Sequence, residues 1–237
     1  MTRRSKAGVR IVGYNVGMDD RTIGRAGFLG VVGLGLAGLF LARDATELLG
    51  RIVPDRVAAL APSSGWRIYT IGSSLPRIDP ATYRLEIAGA VERPVTYTLA
   101  DLRGLPRATQ VSDFHCVTGW SVHDVRWAGV RFRDLLAEAG PLPSARALRF
   151  VSAEVPYDDT LTLGQAYAAD AMLALDMDGE PLSRPHGAPV RVVMPQMYGY
   201  KSVKWVHRIE LVPTLTPGYW EQRGYDTDAW VGDSNCY

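Results

Sequence analysis

The run Ser112-Asp113-Phe114-His115-Cys116-Val117-Thr118-Gly119-Trp120-Ser121, with Trp127-Ala128-Gly129-Val130 close behind it, is the stretch on which the reading of this chain turns. A cysteine set among small, aromatic and polar residues reads as a placed thiol rather than as core filling. Small residues let another body approach the backbone closely, and Trp120 and Trp127 are suited to wall a pocket. Val111 to Cys116 reads as a strand, or the end of one, that delivers this thiol.

Composition bounds what surrounds the stretch. The chain has 237 residues, 47% hydrophobic and 22% charged, which suits one domain of roughly 150–200 residues plus an extra segment. Its net charge of +1, with no basic run interleaved with aromatics, excludes a general polyanion binder, so no nucleic-acid partner is expected. The 15 prolines and 24 glycines favour turns and short strands over a helical bundle. Cys116 and Cys236 are the only cysteines, and in an exported protein they are able to form one disulfide across a long loop. Cys236 stands next to the last residue, where chain ends fray, which makes it a poor staple. There is no CxxC, CxxCH or HExxH, so zinc and c-type haem have no support.

Residues 1–25 are polar and basic, with Arg3, Arg4, Lys6, Arg10, Arg21 and Arg25 against Asp19 and Asp20. Residues 26–43 contain an uncharged apolar run, Gly27 to Ala42, just short of the usual spanning length. Basic residues before it put the amino terminus in the cytoplasm and the remainder outside, so a signal or anchor helix is expected. Arg25-Ala26-Gly27-Phe28-Leu29 resembles a degraded twin-arginine export signal, with Ala26 where a second arginine would stand. Met18 would leave the short basic region typical of such signals. No clean A-x-A site follows, which favours a retained membrane anchor, and residues 44–65 read as a linker.

The globular part is expected over residues 66–237. Arg67 to Ile71 and Tyr83 to Gly89 alternate as strands do. Thr98 to Leu102 reads as a short helix capped by Thr98, with Asp101 completing an acidic capping box. Arg131 to Ala139 reads as a helix stopped by Gly140-Pro141, and Leu163 to Ala169 as another short one. Ala147 to Ser152, Pro189 to Met194 and Lys204 to Val212 read as strands, Tyr157-Asp158-Asp159 and Asp178-Gly179 as turns, and Gly218 to Tyr225 as an aromatic loop. Short strands with scattered single-turn helices give an α+β, β-rich class.

Three motifs in order then carry a resemblance. DFHCVTGWS…WAGVRFRDLL, over residues 113–136, is similar to the core of the molybdopterin-binding oxidoreductases of the sulfite oxidase family, in its bacterial exported branch. His186-Gly187-Ala188-Pro189-Val190-Arg191 resembles that family's HGxPxR stretch. Tyr198-Gly199-Tyr200-Lys201-Ser202-Val203-Lys204-Trp205 resembles its glycine-containing loop entering a KWxxxI strand. The resemblance spans residues 83–212 and extends to the GYWEQRGY tail. It implies a sulfite-oxidase-like fold and a molybdenum–molybdopterin cofactor, with Cys116 as the metal ligand and catalytic thiolate.

The same resemblance implies that Thr118, His186, Arg191, Lys201, Ser202 and Lys204 hold the cofactor. The chemistry is consistent with it: a soft thiolate suits a soft metal, and a guanidinium grips phosphate with paired hydrogen bonds. Glycine with successive backbone N–H groups makes an anion cradle beside the lysines. Arg191 lies in an apolar strand, so it must have an anionic partner, either the cofactor or an internal carboxylate. Tyr69, His115, Thr118 and Trp120 are candidates for lining the substrate pocket. Members that oxidise sulfite carry a CxGNRR-like run, and Val117-Thr118-Gly119-Trp120 replaces it here, removing the cations that would grip a small anion. The expected activity is two-electron oxygen-atom transfer on a small substrate, with sulfoxides in view, and electrons exchanged with a separate cytochrome or membrane carrier. The rival is an exported, cofactor-free β-rich binding module closed by a Cys116–Cys236 disulfide.

Overall fold

A computed structural model describes residues 65–235 of the chain. The expected anchor at residues 26–43, the linker ahead of Gly65, Met18 and Cys236 all lie outside the described residues. Among those described, no helix is long and apolar enough to cross a membrane.

Among the described residues ten strands form two five-stranded sheets, and the helices are short, as the β-rich reading expects. The first sheet runs β2 (Val95–Thr98), β1 (Arg84–Gly89), β10 (Val206–Val212), β5 (Ala147–Ser152), β6 (Asp158–Thr162). Only β1 and β10 pair in parallel, and the other neighbours are antiparallel. The second sheet runs β3 (Ala108–Cys116), β4 (Trp120–Arg131), β7 (Met172–Met177), β8 (Glu180–Pro181), with β9 (Arg191–Val193) also on β7.

Side-chain alternation along β7 explains why the second sheet is central. Leu173 and Leu175 enter the main core with Leu85, Ile87, Phe132, Phe150 and Ile209. Met172 and Ala174 point the other way, into a smaller cluster with Trp66, Val125, Trp127 and Val193. A strand buried on both faces reads as a continuous apolar run, which is what MLAL over residues 172–175 is. The smaller cluster is the floor of the site described below.

The capping of the first short helix is as expected from sequence, whereas the helix expected over Leu163 to Ala169 ends at Ala166. Helix α1 (Leu99–Gly104) is capped by Thr98, and Asp101 returns the capping-box bond to the Thr98 N–H at 2.8 Å. Helix α3 (Leu163–Ala166) uses the same device through Thr162 and Gln165. Helix α2 (Phe132–Leu136) ends earlier than the expected Ala139, closing on a bond from the Ala137 N–H to the Asp134 carbonyl. Asp178 and Gly179, both at positive φ, make the two-residue turn between β7 and β8.

Three readings are corrected. Arg67 to Ile71 alternates like a strand but pairs with no sheet, because its backbone is held by a side chain, Glu154, rather than by a neighbouring strand. Tyr157-Asp158-Asp159 is not a turn: Asp158 opens β6, its charge met by Arg149 Nε at 2.7 Å on the adjacent strand. The 12 residues of β4 form a strand that the sequence reading passed over. Its pattern is broken by a bulge, since Ser112 pairs with Val125 but Phe114 with Val122. The extra residue brings Asp124 to φ 56, where its N–H donates to Asp113 at 3.0 Å. One skipped residue keeps Trp120, Val122, Val125 and Trp127 on one face.

Strand β4 approaches β7 so closely at Gly129 that a Cβ there would lie 2.1 Å from the Leu173 carbonyl oxygen. Gly129→Ala is therefore expected to destabilise the domain by about 1–3 kcal/mol or more. Gly104→Ala, with nothing within 4 Å, should change stability by less than about 0.5 kcal/mol. Urea unfolding of the two variants beside wild type checks the contrast.

Candidate functional site

Cys116 is the last residue of β3, and its N–H···O turn to β4 is closed by Gly119 donating to the Cys116 carbonyl at 3.0 Å. Gly119 takes φ 86 to make that turn. The thiol is free and half-buried. The Thr118 hydroxyl lies 3.2 Å from Sγ and 3.4 Å from the Tyr69 hydroxyl, so three groups named from the sequence meet at the hairpin tip. Trp120 is the cross-strand partner of Cys116, and its ring is 5.8 Å from Phe114 and 6.3 Å from Tyr69. His115 faces the other way, bonded through Nδ1 to Ser121 at 2.8 Å on the exposed side of the hairpin.

Beneath Phe114 lies the second motif. Arg191, 2% exposed, opens β9 with its guanidinium 5.3 Å from the ring centroids of both Phe114 and Trp127. It donates to the carbonyls of Val192 at 3.3 Å, His186 at 3.1 Å and Ser202 at 3.2 Å. Of the two partners open to it, the internal carboxylate is not there: among the described residues no ion pair to Arg191 is seen, and its acceptors are carbonyls. Burial lowers its pKa to about 10. His186 packs edge-on against Trp66 at 4.8 Å, and its buried Nδ1 has no hydrogen-bond partner. Burial first, then Arg191 and Lys204, push His186 down to about 4, so its ring is neutral at physiological pH.

The third motif divides. Lys204 donates to the Tyr69 carbonyl at 2.7 Å and lies over the Trp205 ring at 4.1 Å. Burial, reinforced by Arg191 and opposed by Glu154, lowers it to about 7. Ser202 accepts from the Met194 N–H at 3.1 Å and supplies the carbonyl under Arg191. Lys201 goes elsewhere. It is 1% exposed, and its ammonium donates to Asp159 at 2.8 Å, to the Thr160 carbonyl at 3.1 Å and to Glu221. All three donors are spent inside the fold, so Lys201 braces the loop from within. Gly199 lets that loop close on the hairpin: a Cβ there would lie 2.3 Å from the Phe114 ring.

The residues present fit an anionic cofactor. Arg191 and Lys204 are met by backbone carbonyls rather than by a carboxylate ion pair, while the His186 Nδ1 and Trp120 Nε1 are buried without a partner. Such buried groups require a partner, and a pterin bearing phosphate and sulfur supplies acceptors, donors and negative charge together. Among the described residues no cluster of three or more His, Cys, Asp or Glu is placed to hold a metal by itself. A metal here would have to arrive with its own ligands. Sequence reasoning missed Trp66 and Glu154. Trp66 was the signal available, an isolated aromatic at the start of the domain, whereas nothing local marks Glu154.

The fold and this cluster together suit a domain that holds an anionic cofactor, and comparison with known proteins supplies the class. Residues 72–220 match the family described as the oxidoreductase molybdopterin binding domain. The chain belongs to that family, in its sulfite oxidase group, and is an oxidoreductase. An uncharacterized oxidoreductase of Bacillus subtilis, YuiH, is 36% identical over 154 residues, 64% of this chain and 77% of its own. A putative protein-methionine-sulfoxide reductase subunit of Azospira oryzae, YedZ1, is 30% identical, covering 76% of this chain and 70% of its own. Sulfite oxidase of Gallus gallus is 32% identical over 64% of this chain, which spans only 39% of that oxidase. Among solved structures, the sulfane dehydrogenase SoxCD of Paracoccus pantotrophus superposes with a TM-score of 0.59 at 28% identity, over 66% of this chain and 43% of that one.

The two lysines should separate by experiment. Lys201→Met leaves two buried carboxylates facing each other and is expected to lose about 3–5 kcal/mol of stability. Lys204→Met should leave the denaturation midpoint close to wild type and lower cofactor occupancy instead. The buried carboxylates also predict a pH dependence. Burial, aided by Glu221 against the pull of Lys201, raises Asp159 from 3.8 to about 8. The folded state then binds this proton more tightly than the unfolded chain. Its contribution is complete below about 4 and is lost as pH rises through about 8. The advantage of Asp159→Asn over wild type in urea midpoint should therefore grow as pH is raised from about 4 through about 8, which unfolding of the two proteins side by side across that range checks.

Proposed function

We propose that this chain is a molybdenum-cofactor-dependent oxidoreductase that transfers an oxygen atom to or from a small neutral substrate, a sulfoxide being the favoured class. The observation that carries the reading is a pair of basic side chains, Arg191 and Lys204, held by carbonyls without a carboxylate ion pair, together with the orphaned His186 Nδ1, in a molybdopterin-family domain. The bound cofactor would supply two-electron oxygen-atom chemistry. Cys116 would hold the molybdenum through its thiolate, with the Thr118 hydroxyl placed to donate to the sulfur. Arg191 and Lys204 would balance the phosphate and pterin charge, and neutral His186 would add a hydrogen bond without adding charge. Ser202 would orient Arg191 through its carbonyl.

Substrate preference follows from the tip of the hairpin. Val117, Thr118, Gly119 and Trp120, with Tyr69 beside them, present hydroxyls and aromatic faces and no cation. Arg191 is too deeply buried to reach a substrate there. That environment supports a neutral, polarised oxygen donor over sulfite. The name of the Azospira relative, a methionine-sulfoxide reductase subunit, points to the same class, and its being a subunit supports electron exchange with a separate carrier. The amino-terminal pattern supports an extracytoplasmic enzyme anchored by residues 26–43, with a cytochrome or membrane protein as that carrier.

The test is metal analysis of protein matured with its export machinery, wild type beside Cys116→Ser, followed by dye-driven reduction of a panel of sulfoxides and N-oxides. Wild type is expected to carry about one molybdenum per chain and to reduce sulfoxides, and Cys116→Ser to lose turnover by orders of magnitude. Matured wild type without molybdenum would overturn the reading and restore the disulfide-closed binding module. Molybdenum without turnover on any substrate would leave a cofactor-binding domain that has lost its activity.

A further inference from the structure

The segment from Trp66 to Gly72 reaches the site without belonging to either sheet. It is fastened at three points. Trp66 packs 4.9 Å from Phe114 and 4.8 Å from His186. Lys204 donates to the Tyr69 carbonyl at 2.7 Å. The third point is Glu154, only 7% exposed, one carboxylate oxygen of which accepts from the Thr70 hydroxyl, from the Ile71 N–H at 2.9 Å and from the Gly72 N–H at 3.3 Å.

Glu154 is itself fixed to the cofactor loop. Its N–H donates to the Ser152 hydroxyl at 3.0 Å, and that hydroxyl donates to the Lys204 carbonyl at 2.8 Å. The intervening Ala153 N–H donates to the Trp205 carbonyl at 2.8 Å. One corner after β5 therefore grips both the strap ahead of β1 and the loop that carries Lys204. A nearly buried carboxylate is costly unless hydrogen bonds fill its lone pairs, and here the strap supplies the donors. With no strand to pair with, Tyr69 owes its place beside Thr118 to these bonds and to Lys204.

We propose that Glu154 is a positioning residue for the active site, holding residues 69–72 as a strap that keeps Tyr69 against Thr118 beside the Cys116 thiol. This role rests on the reading of Cys116 as the reacting centre, but the strap is a property of the chain itself and is testable without turnover. Arg67 lies exposed in the strap and is a trypsin site. Cleavage there reports local opening, because a protease cuts the transiently released segment.

The experiment is limited trypsin digestion of the full chain, followed by mass, comparing wild type with Glu154→Ala and Glu154→Gln. Cleavage after Arg67 should be on the order of tenfold faster in Glu154→Ala, as losing a charged hydrogen bond produces, and a few-fold faster in Glu154→Gln. Cleavage at other arginines and the thermal midpoint should stay as in wild type. In cofactor-loaded protein the same variants should keep their molybdenum and raise KM more than they lower kcat. Cleavage after Arg67 at the wild-type rate in a folded Glu154→Ala would overturn the proposal. If that variant does not fold, Thr70→Val removes one donor of the strap alone and must show a few-fold rise, failing which the proposal falls. Absence of molybdenum would defeat the cofactor reading while leaving this cleavage result to stand or fall separately.

Discussion

A guanidinium almost completely removed from water and given no carboxylate has to be held by dipoles, and the way Arg191 is held arranges everything around it. Its three carbonyl acceptors come from its neighbour Val192, from His186 and from Ser202. Two aromatic rings, Phe114 and Trp127, each lie 5.3 Å from its guanidinium. One side chain therefore ties together the HGAPVR strand, the glycine loop and the β3–β4 hairpin, which are far apart in sequence. Carbonyl oxygens solvate a cation without neutralising it, and aromatic faces attract it more weakly than a carboxylate would. The charge stays available to an anion arriving at the site. An internal salt bridge would have stabilised the empty fold and cancelled that field.

Lys201 shows the opposite solution a few residues away. It is as deeply buried as Arg191, yet its ammonium meets two carboxylates and a carbonyl. That triad joins β6, the glycine loop and the tail near Glu221, whose other oxygen accepts from the Gly218 N–H. The aromatic tail is thus held against the back of the loop while Lys204 and Arg191 face the front. The loop gains rigidity from the neutralised charge, and on the proposed reading Arg191 and Lys204, which carry no carboxylate ion pair, are the groups that serve binding. Exchanging the two would place a neutralised lysine at the site and a bare cation in the core.

Much of this was legible in the sequence, and the exceptions share a cause. The capping box at Thr98 and Asp101 and the Asp178-Gly179 turn depend on contacts within a few residues, so local pattern reveals them. Strand β4 escaped because a bulge at Asp124 shifts the period by one residue between Val122 and Val125. Arg67 to Ile71 misled because alternation states which faces differ and not whether a partner strand exists. In Lys201-Ser202-Val203-Lys204 the two lysines look alike. Only Asp159, distant in the chain, and Glu221 distinguish them. Cys116, His186 and Arg191 stand out in sequence because chemically demanding residues occur there in motifs, whereas Glu154 acts through long-range bonds that leave no local trace.

The site that results is polarised. Its deep side carries Arg191, Lys204 and the orphaned His186 nitrogen, and its outer side carries the hydroxyls of Thr118 and Tyr69 with the rings of Tyr69 and Trp120. The deep groups are locked by backbone carbonyls and by β9, so changing any of them disturbs several elements together. The outer groups sit on a three-residue turn and on a strap, where substitution alters shape and polarity with little effect on the sheets. On the proposed reading, cofactor retention and substrate choice are then controlled by different parts of the chain. A hairpin tip bearing cations would recruit anions to the same deep site, and the neutral tip found here selects against them by leaving an approaching anion without a counter-charge at the point of entry.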